Sequence, residues 1–370
     1  MPEYYDIQRA ATVELLQSLG TSSENFVEHV RHQCGSIILK ITYGYNLRRT
    51  DDPYLKLMVR AAEGGLAAAT HGSFWVDYFP VLRHVPTWFP GAGFKRKASK
   101  WKQAFSDLKE EPWNWVKQAV DEGSIEPSFV TRSIQRLSIT LGEDSNSEAA
   151  IKNCAAMAYL AGEDTIVAAI LTFILAMSLH PELQIRAQEE LDMVIGSRRL
   201  PDFDDQNDLP FVDALIQETL RWNPGSPIEL HMMMSTKDFT FLRLKSIYWD
   251  AEATVNHRAV MHDEKLYGAN PHEFNPERFL QADTKPPNPE LLVFGFGRRI
   301  CPGRYQAMKT IYLTVAHLLA TFTIGKAVDG EGNEVIPVAE FEVGFITYVM
   351  VIVGLQRTGP NQAVWHLRRI

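Results

Sequence analysis

Cysteine is scarce in this chain: Cys34, Cys154 and Cys301 are the only three in 370 residues, and they lie far apart. An odd count without clustered spacing excludes a secreted disulfide framework and favours a reducing compartment or the cytosolic side of a membrane. No Asn-x-Ser/Thr acceptor occurs, which points the same way. Zinc lacks its usual ligand spacings, because neither Cys-x-x-Cys nor His-Glu-x-x-His is present. Positive charge is the minority: 37 Lys and Arg against 45 Asp and Glu leave a formal charge of −8 and a pI near 5.8. That balance excludes a nonspecific nucleic-acid binder.

Long apolar runs are also missing. Met1 to Asp6 carry none, so no signal peptide or anchor is expected in this chain. The most apolar helical stretch, Ile166 to Met177, falls short of the ~20 residues that span a bilayer. Val343 to Leu355 is of similar length, rich in β-branched residues, and reads as a buried strand. What is present is ordinary for a globular protein, with 45% hydrophobic and 22% charged residues. Such a chain can bury a large core without staples. By length it holds about two average domains or one large enzyme core.

Pro and Gly divide the sequence into helical stretches. Glu24 to Lys40 has a periodic apolar face, and Tyr78 to Gly93 is turn-rich. Ala98 to Asp121 resumes the helical pattern, and Ser147 to Ser178 is its longest run, stopped by His180-Pro181. Glu182 to Ile195 and Pro210 to Trp222 follow as helices. From Asn223 to about Pro302 the breakers predict strand and loop, and Pro302 to Phe322 is helical again. The tail has a hairpin signal at Asp329-Gly330-Glu331-Gly332-Asn333.

Chemistry concentrates around one cysteine. Phe294-Gly295-Phe296-Gly297-Arg298-Arg299-Ile300-Cys301-Pro302-Gly303 is a glycine-rich loop leading into a helix. Glycines let backbone approach a flat ligand, and a helix start favours a thiolate. Pro302 suits the first helical position. The other reading is an inert buried thiol. A phosphate loop is disfavoured, since Gly295-x-Gly297 lacks a third glycine at Ile300 and no Gly-Lys-Ser/Thr exists.

Phe-x-x-Gly-x-Arg-x-Cys-x-Gly, carried by Phe294, Gly297, Arg299, Cys301 and Gly303, resembles the haem-binding signature of the cytochrome P450 monooxygenases. Two further motifs in the family's order strengthen the resemblance: Glu218-Thr219-Leu220-Arg221 and Pro276-Glu277-Arg278-Phe279. It implies a mainly α haem-thiolate fold with small β regions, as one domain over 1–370, lacking the N-terminal helices and much of the main sheet. It also implies haem b (iron protoporphyrin IX), with Cys301 as axial ligand to the iron and Phe294, Gly297, Arg299 and Gly303 around it. A buried Glu218–Arg221–Arg278 cluster is implied behind the haem. Ala161-Gly162-Glu163-Asp164-Thr165 breaks an apolar helix with a glycine and two acids. By resemblance Asp164 relays protons and Thr165 holds dioxygen.

The activity so implied is hydroxylation of an apolar small molecule with dioxygen, fed by an NADPH-dependent flavoprotein reductase. The endoplasmic reticulum membrane is the expected location for the family. Three places depart from the family pattern. Leu230-His231-Met232 stands where the family has Pro-His-Arg, Met233 to Ala253 lacks its Gly-x-x-Ile-Pro-x-Gly turn, and Phe345 to Ile370 lacks its Pro-rich terminal loop. The alternative is therefore an inactive or wrongly spliced product that holds haem weakly or not at all.

Overall fold

The computed structural model describes residues 2–49, 51–69, 72–124, 126–140, 145–226, 256–281 and 285–328, with short pieces at 333–335, 337, 341–342, 348–349 and 365–367. Helices carry it. Tyr5–Thr21 (α1) packs on Phe26–Tyr43 (α2), and α2 lies along the central helix Ser145–Leu179 (α7). Pro53–Ala69 (α3) packs on Gly93–Asp121 (α5), with the short Trp75–Tyr78 (α4) between them, and Phe129–Thr140 (α6) rests on α7. α2 stops at Gly44, whose φ of 74° lets its N–H close back on Leu39 and Lys40 carbonyls. A Cβ there would stand 2.9 Å from the Glu126 carbonyl oxygen.

After α7 come Pro181–Val194 (α8) and Pro210–Trp222 (α9), each opening on a proline, as a fixed φ and missing N–H favour. His257–Met261 (α10), Glu264–Tyr267 (α11), Glu290–Val293 (α12) and Arg304–Thr321 (α13) complete the helices described. The strand-and-loop expectation for Asn223 to Pro302 is corrected here. Within that stretch the described residues form short helical turns, capped at α10 and α11 by the side chains of Asn256 and Asp263. The helix expected from Pro302 begins at Arg304. Pro302 and Gly303 form a turn in which the Arg304 N–H donates to the Cys301 carbonyl (3.4 Å).

α7 runs between two apolar clusters. Its later turns (Ile166, Ile170, Phe173, Met177) pack with Leu15 and Leu19 of α1, Leu215 of α9 and Leu313 and Leu318 of α13. Its earlier turns bring Tyr159 against Leu39 and Tyr43 of α2, Met58 of α3 and Trp113 of α5. Length and composition alone would let α7 cross a membrane, but 78% of its most apolar window is buried in the fold, so it is a core helix.

Among the described residues the strands form three antiparallel pairs: Phe322–Ile324 (β1) with Trp365–Leu367, Ala327–Val328 (β2) with Glu334–Val335 (β3), and Phe341–Glu342 (β4) with Tyr348–Val349 (β5). The β2–β3 pairing flanks the expected hairpin turn, whose residues 329–332 lie outside the described residues. Leu230-His231-Met232, Met233 to Ala253 and most of Val343 to Ile370 also lie outside them.

Candidate functional site

The Glu218, Arg221 and Arg278 side chains meet in the interior. Arg221 is fully buried and uses all five of its N–H donors. Nε and Nη2 donate to the two Glu218 oxygens (2.7 and 2.8 Å). Nη1 donates to the carbonyls of Met261 and Pro271, and Nη2 also to that of Glu273. Arg278 Nε lies 3.2–3.3 Å from both Glu218 oxygens, and Arg278 Nη1 donates to the Tyr267 carbonyl. The Asn275 N–H donates to Glu218 (2.7 Å). The buried charges therefore tie α9 to the whole stretch from Met261 to Arg278, which leads toward the cysteine loop.

That loop is closed by one hydrogen bond, from the Cys301 N–H to the Phe294 carbonyl (2.7 Å). Gly295 and Gly297 both turn with positive φ (72° and 58°), which side-chain-bearing residues rarely adopt. Phe294 and Cys301 are half-buried. Gly303 lies beside the sulfur, where a Cβ would stand 3.8 Å from Cys301 Sγ, an ordinary van der Waals contact. Arg299 contributes its backbone to the turn Gly297–Arg299, and its side chain lies outside the described residues. Cys34 is buried, and burial followed by the charge of Glu163 pushes its thiol well up. Cys154 is exposed on a helix, away from any such loop.

On α7 the acids and the alcohol part company. Thr165 is exposed, and its hydroxyl donates to the Ala161 carbonyl one turn back (3.1 Å). Asp164 is buried and accepts from Arg31 of α2 (3.0 Å), which also reaches Glu163 (3.2 Å). Burial first, and then the neighbouring Asp164, push the Glu163 carboxyl well above the ordinary range. Its Oε2 is buried without a hydrogen-bond partner. Sequence reasoning missed Arg31. The signal was two acids in an apolar helix, which demand a buried cation, but nothing local says which arginine supplies it.

Gly162 has its own reason. A Cβ there would come within 2.7 Å of the Ile38 side chain, so the glycine permits the close approach of α2 and α7.

Met157, Ala158, Ala161 and Thr165 form an exposed stripe on α7, although Tyr159, Glu163 and Asp164 between them are buried. Ala158, Ala161 and Thr165 leave this face of α7 uncovered, and α13, which follows the cysteine loop, packs against the same helix. The half-buried thiol and the positive-φ glycine turns beside it fit a haem.

The family model for cytochrome P450 matches residues 7–335, so the chain belongs to the cytochrome P450 family, whose cofactor is haem. A cytochrome P450 monooxygenase of Armillaria gallica is 40% identical over 351 residues, covering 92% of this chain and 66% of the relative. Cytochrome P450 monooxygenase 98 of Postia placenta is 38% identical over 92% of this chain and 65% of its own length. Tryptamine 4-monooxygenase of Psilocybe cyanescens is 36% identical over 94% of this chain and 68% of its own. The chain thus spans about two-thirds of the length of these curated relatives. A zebra fish cytochrome P450 solved with progesterone shares the fold, with a TM-score of 0.73 at 23% identity over 94% of this chain and 76% of that one.

Proposed function

We propose that the chain carries the haem-binding core of a monooxygenase that hydroxylates an apolar small molecule. Dioxygen is the oxidant, and electrons come from NADPH through a flavoprotein reductase at the endoplasmic reticulum membrane. The observation that carries this reading is the closed Phe294–Cys301 loop with its two positive-φ glycines. Cys301 would supply the thiolate that holds the iron of haem b, with Phe294, Gly297, Arg299 and Gly303 shaping the approach. When bound, the haem supplies a redox-active iron for dioxygen chemistry.

The chain's own residues do the rest. Glu218, Arg221 and Arg278 hold the segment behind the loop rigid. Thr165, on the open side of α7, offers a hydroxyl to hold dioxygen and pass a proton at Oγ1. Asp164, held by Arg31 at the position before Thr165, relays protons to it.

Turnover with isotopically labelled dioxygen tests the reading. In the presence of reductase, NADPH and an apolar substrate, one labelled oxygen should appear in product. Thr165→Ala should keep haem binding while diverting electrons to peroxide. Unlabelled product would refute a monooxygenase, and unchanged product per NADPH in the variant would remove Thr165 from the proton path. Failure to hold haem at all would favour the inactive-product alternative.

A further inference from the structure

Two buried acids on α7 face a single cation. Glu163 and Asp164 are 1% and 2% exposed, and one nitrogen, Arg31 Nη1, reaches both. The two carboxyl groups also hydrogen-bond to each other, which requires a proton on one of them. Among the described residues, Arg31 is the cation whose charge acts on Glu163. The other titratable neighbours stay neutral: burial pushes the Cys34 thiol of α2 and the Tyr159 phenol of α7 well up. The side chains that α3 and α5 pack beside Tyr159, Met58 and Trp113 among them, carry no charge. Two carboxylates against one guanidinium would leave a buried charge uncompensated, so one acid keeps its proton.

Glu163 is that acid. Its contact to Arg31 is the longer, 3.2 Å against 3.0 Å for Asp164. Its Oε2 is buried without a hydrogen-bond partner, where a negative oxygen would be unsolvated. Burial and the Asp164 charge both hold the proton on. One cation needs only one acid for structural pairing, and a second, neutral acid adds nothing to the packing that an amide would not. What an amide lacks is a transferable proton.

Monooxygenation consumes two protons per product, since substrate, dioxygen, two electrons and two protons give the alcohol and water. A single relay acid delivers one before it must be reloaded. We propose, resting on the monooxygenase reading, that Glu163 stores one of these protons and passes it to Asp164, which relays it to Thr165. In this step the Glu163 O–H bond breaks with its electron pair left on Glu163, and the proton bonds to an Asp164 carboxylate oxygen. Water then returns a proton to Glu163. Arg31, the partly exposed member of the cluster, lines a cleft of about 1250 Å³ between α1, α2 and α3, which brings water to this side of the acids. Glu163 touches neither substrate nor oxygen and is a positioning residue that acts through Asp164.

Infrared spectroscopy of the purified chain reads the stored proton without haem. At neutral pH the spectrum of the parent minus that of Glu163→Gln should contain a protonated-carboxyl band. Heavy carbon in glutamate should shift this band, and heavy carbon in aspartate should not. In the haem-loaded chain with reductase and NADPH, Glu163→Gln should keep haem and KM while kcat falls about tenfold, less than for a direct general acid. An empty difference spectrum, a band that shifts with aspartate labelling, or a kcat equal to the parent's would overturn the proposal. A parent that shows the band and makes no product overturns the monooxygenase reading, and with it the use of the proton. An empty spectrum removes Glu163 whatever the activity, so the two readings fail separately.

Discussion

Arg31 holds two carboxylates at once, with its side chain 23% exposed and those of Glu163 and Asp164 nearly wholly buried. Removing the shared cation takes away the charge that Asp164 and Glu163 both face, so Arg31→Ala should cost about 3 kcal/mol in urea denaturation. Glu163→Gln should behave in the opposite way. It replaces a buried carboxyl that already favours its neutral, protonated form with a neutral amide of similar shape, so the loss should stay under about 1 kcal/mol or turn into a gain. Similar losses for the two variants would mean that Arg31 is not the partner of this pair. The Cys301 loop makes a second point about single residues. Its sulfur stands a turn ahead of α13 with Gly303 beside it, a relation that spacing suggests and only coordinates display.

Among the elements, α9 and α7 show what can and cannot be read in advance. α9 runs from Pro210 to Trp222 as expected, because proline and Asn223-Pro224 mark both ends chemically. The stretch from Asn256 to Gly303 was not legible in this way: breakers announce irregular chain, but the choice between strand and short helical turn lies in caps such as Asn256 and Asp263. The Glu218–Arg221–Arg278 cluster was legible through motif resemblance, whereas Arg31 pairs with acids 132 and 133 residues away and leaves no local trace. Two substitutions probe these contacts. Arg221→Ala should cost roughly 3–5 kcal/mol by stranding Glu218 in the interior, and a loss under ~1 kcal/mol would match an exposed pair instead. Gly162→Ala improves helix propensity by about 1 kcal/mol yet drives a methyl into Ile38, so a net loss of roughly 1–2 kcal/mol is expected. A net gain in Tm would show that α2 yields at that contact.

For the molecule as a whole, stability should fall toward both acid and base. Burial lowers His262 from its ordinary value of 6.5 to about 4, so between those values the unfolded chain takes up a proton that the folded one refuses. That contribution is complete above about 6.5 and is lost as pH falls toward 4. It is worth on the order of 1 kcal/mol once solvent screening is allowed for. Glu163 acts in the opposite sense. Its raised pKa stabilises the folded chain fully below the ordinary carboxyl range, and this contribution fades as pH rises from there through the folded value. Denaturation across pH checks both, and His262→Gln should flatten the slope between 4 and 6.5. The central claim, that Cys301 is the thiolate that holds haem, has a more direct measurement. The haem-loaded chain is reduced, exposed to carbon monoxide and compared by absorption with Cys34→Ser, Cys154→Ser and Cys301→Ser. The parent and the first two variants should show the red-shifted Soret band of thiolate-ligated haem, and Cys301→Ser should lose it. Survival of that band in Cys301→Ser, or its loss in either of the other two, would contradict the assignment.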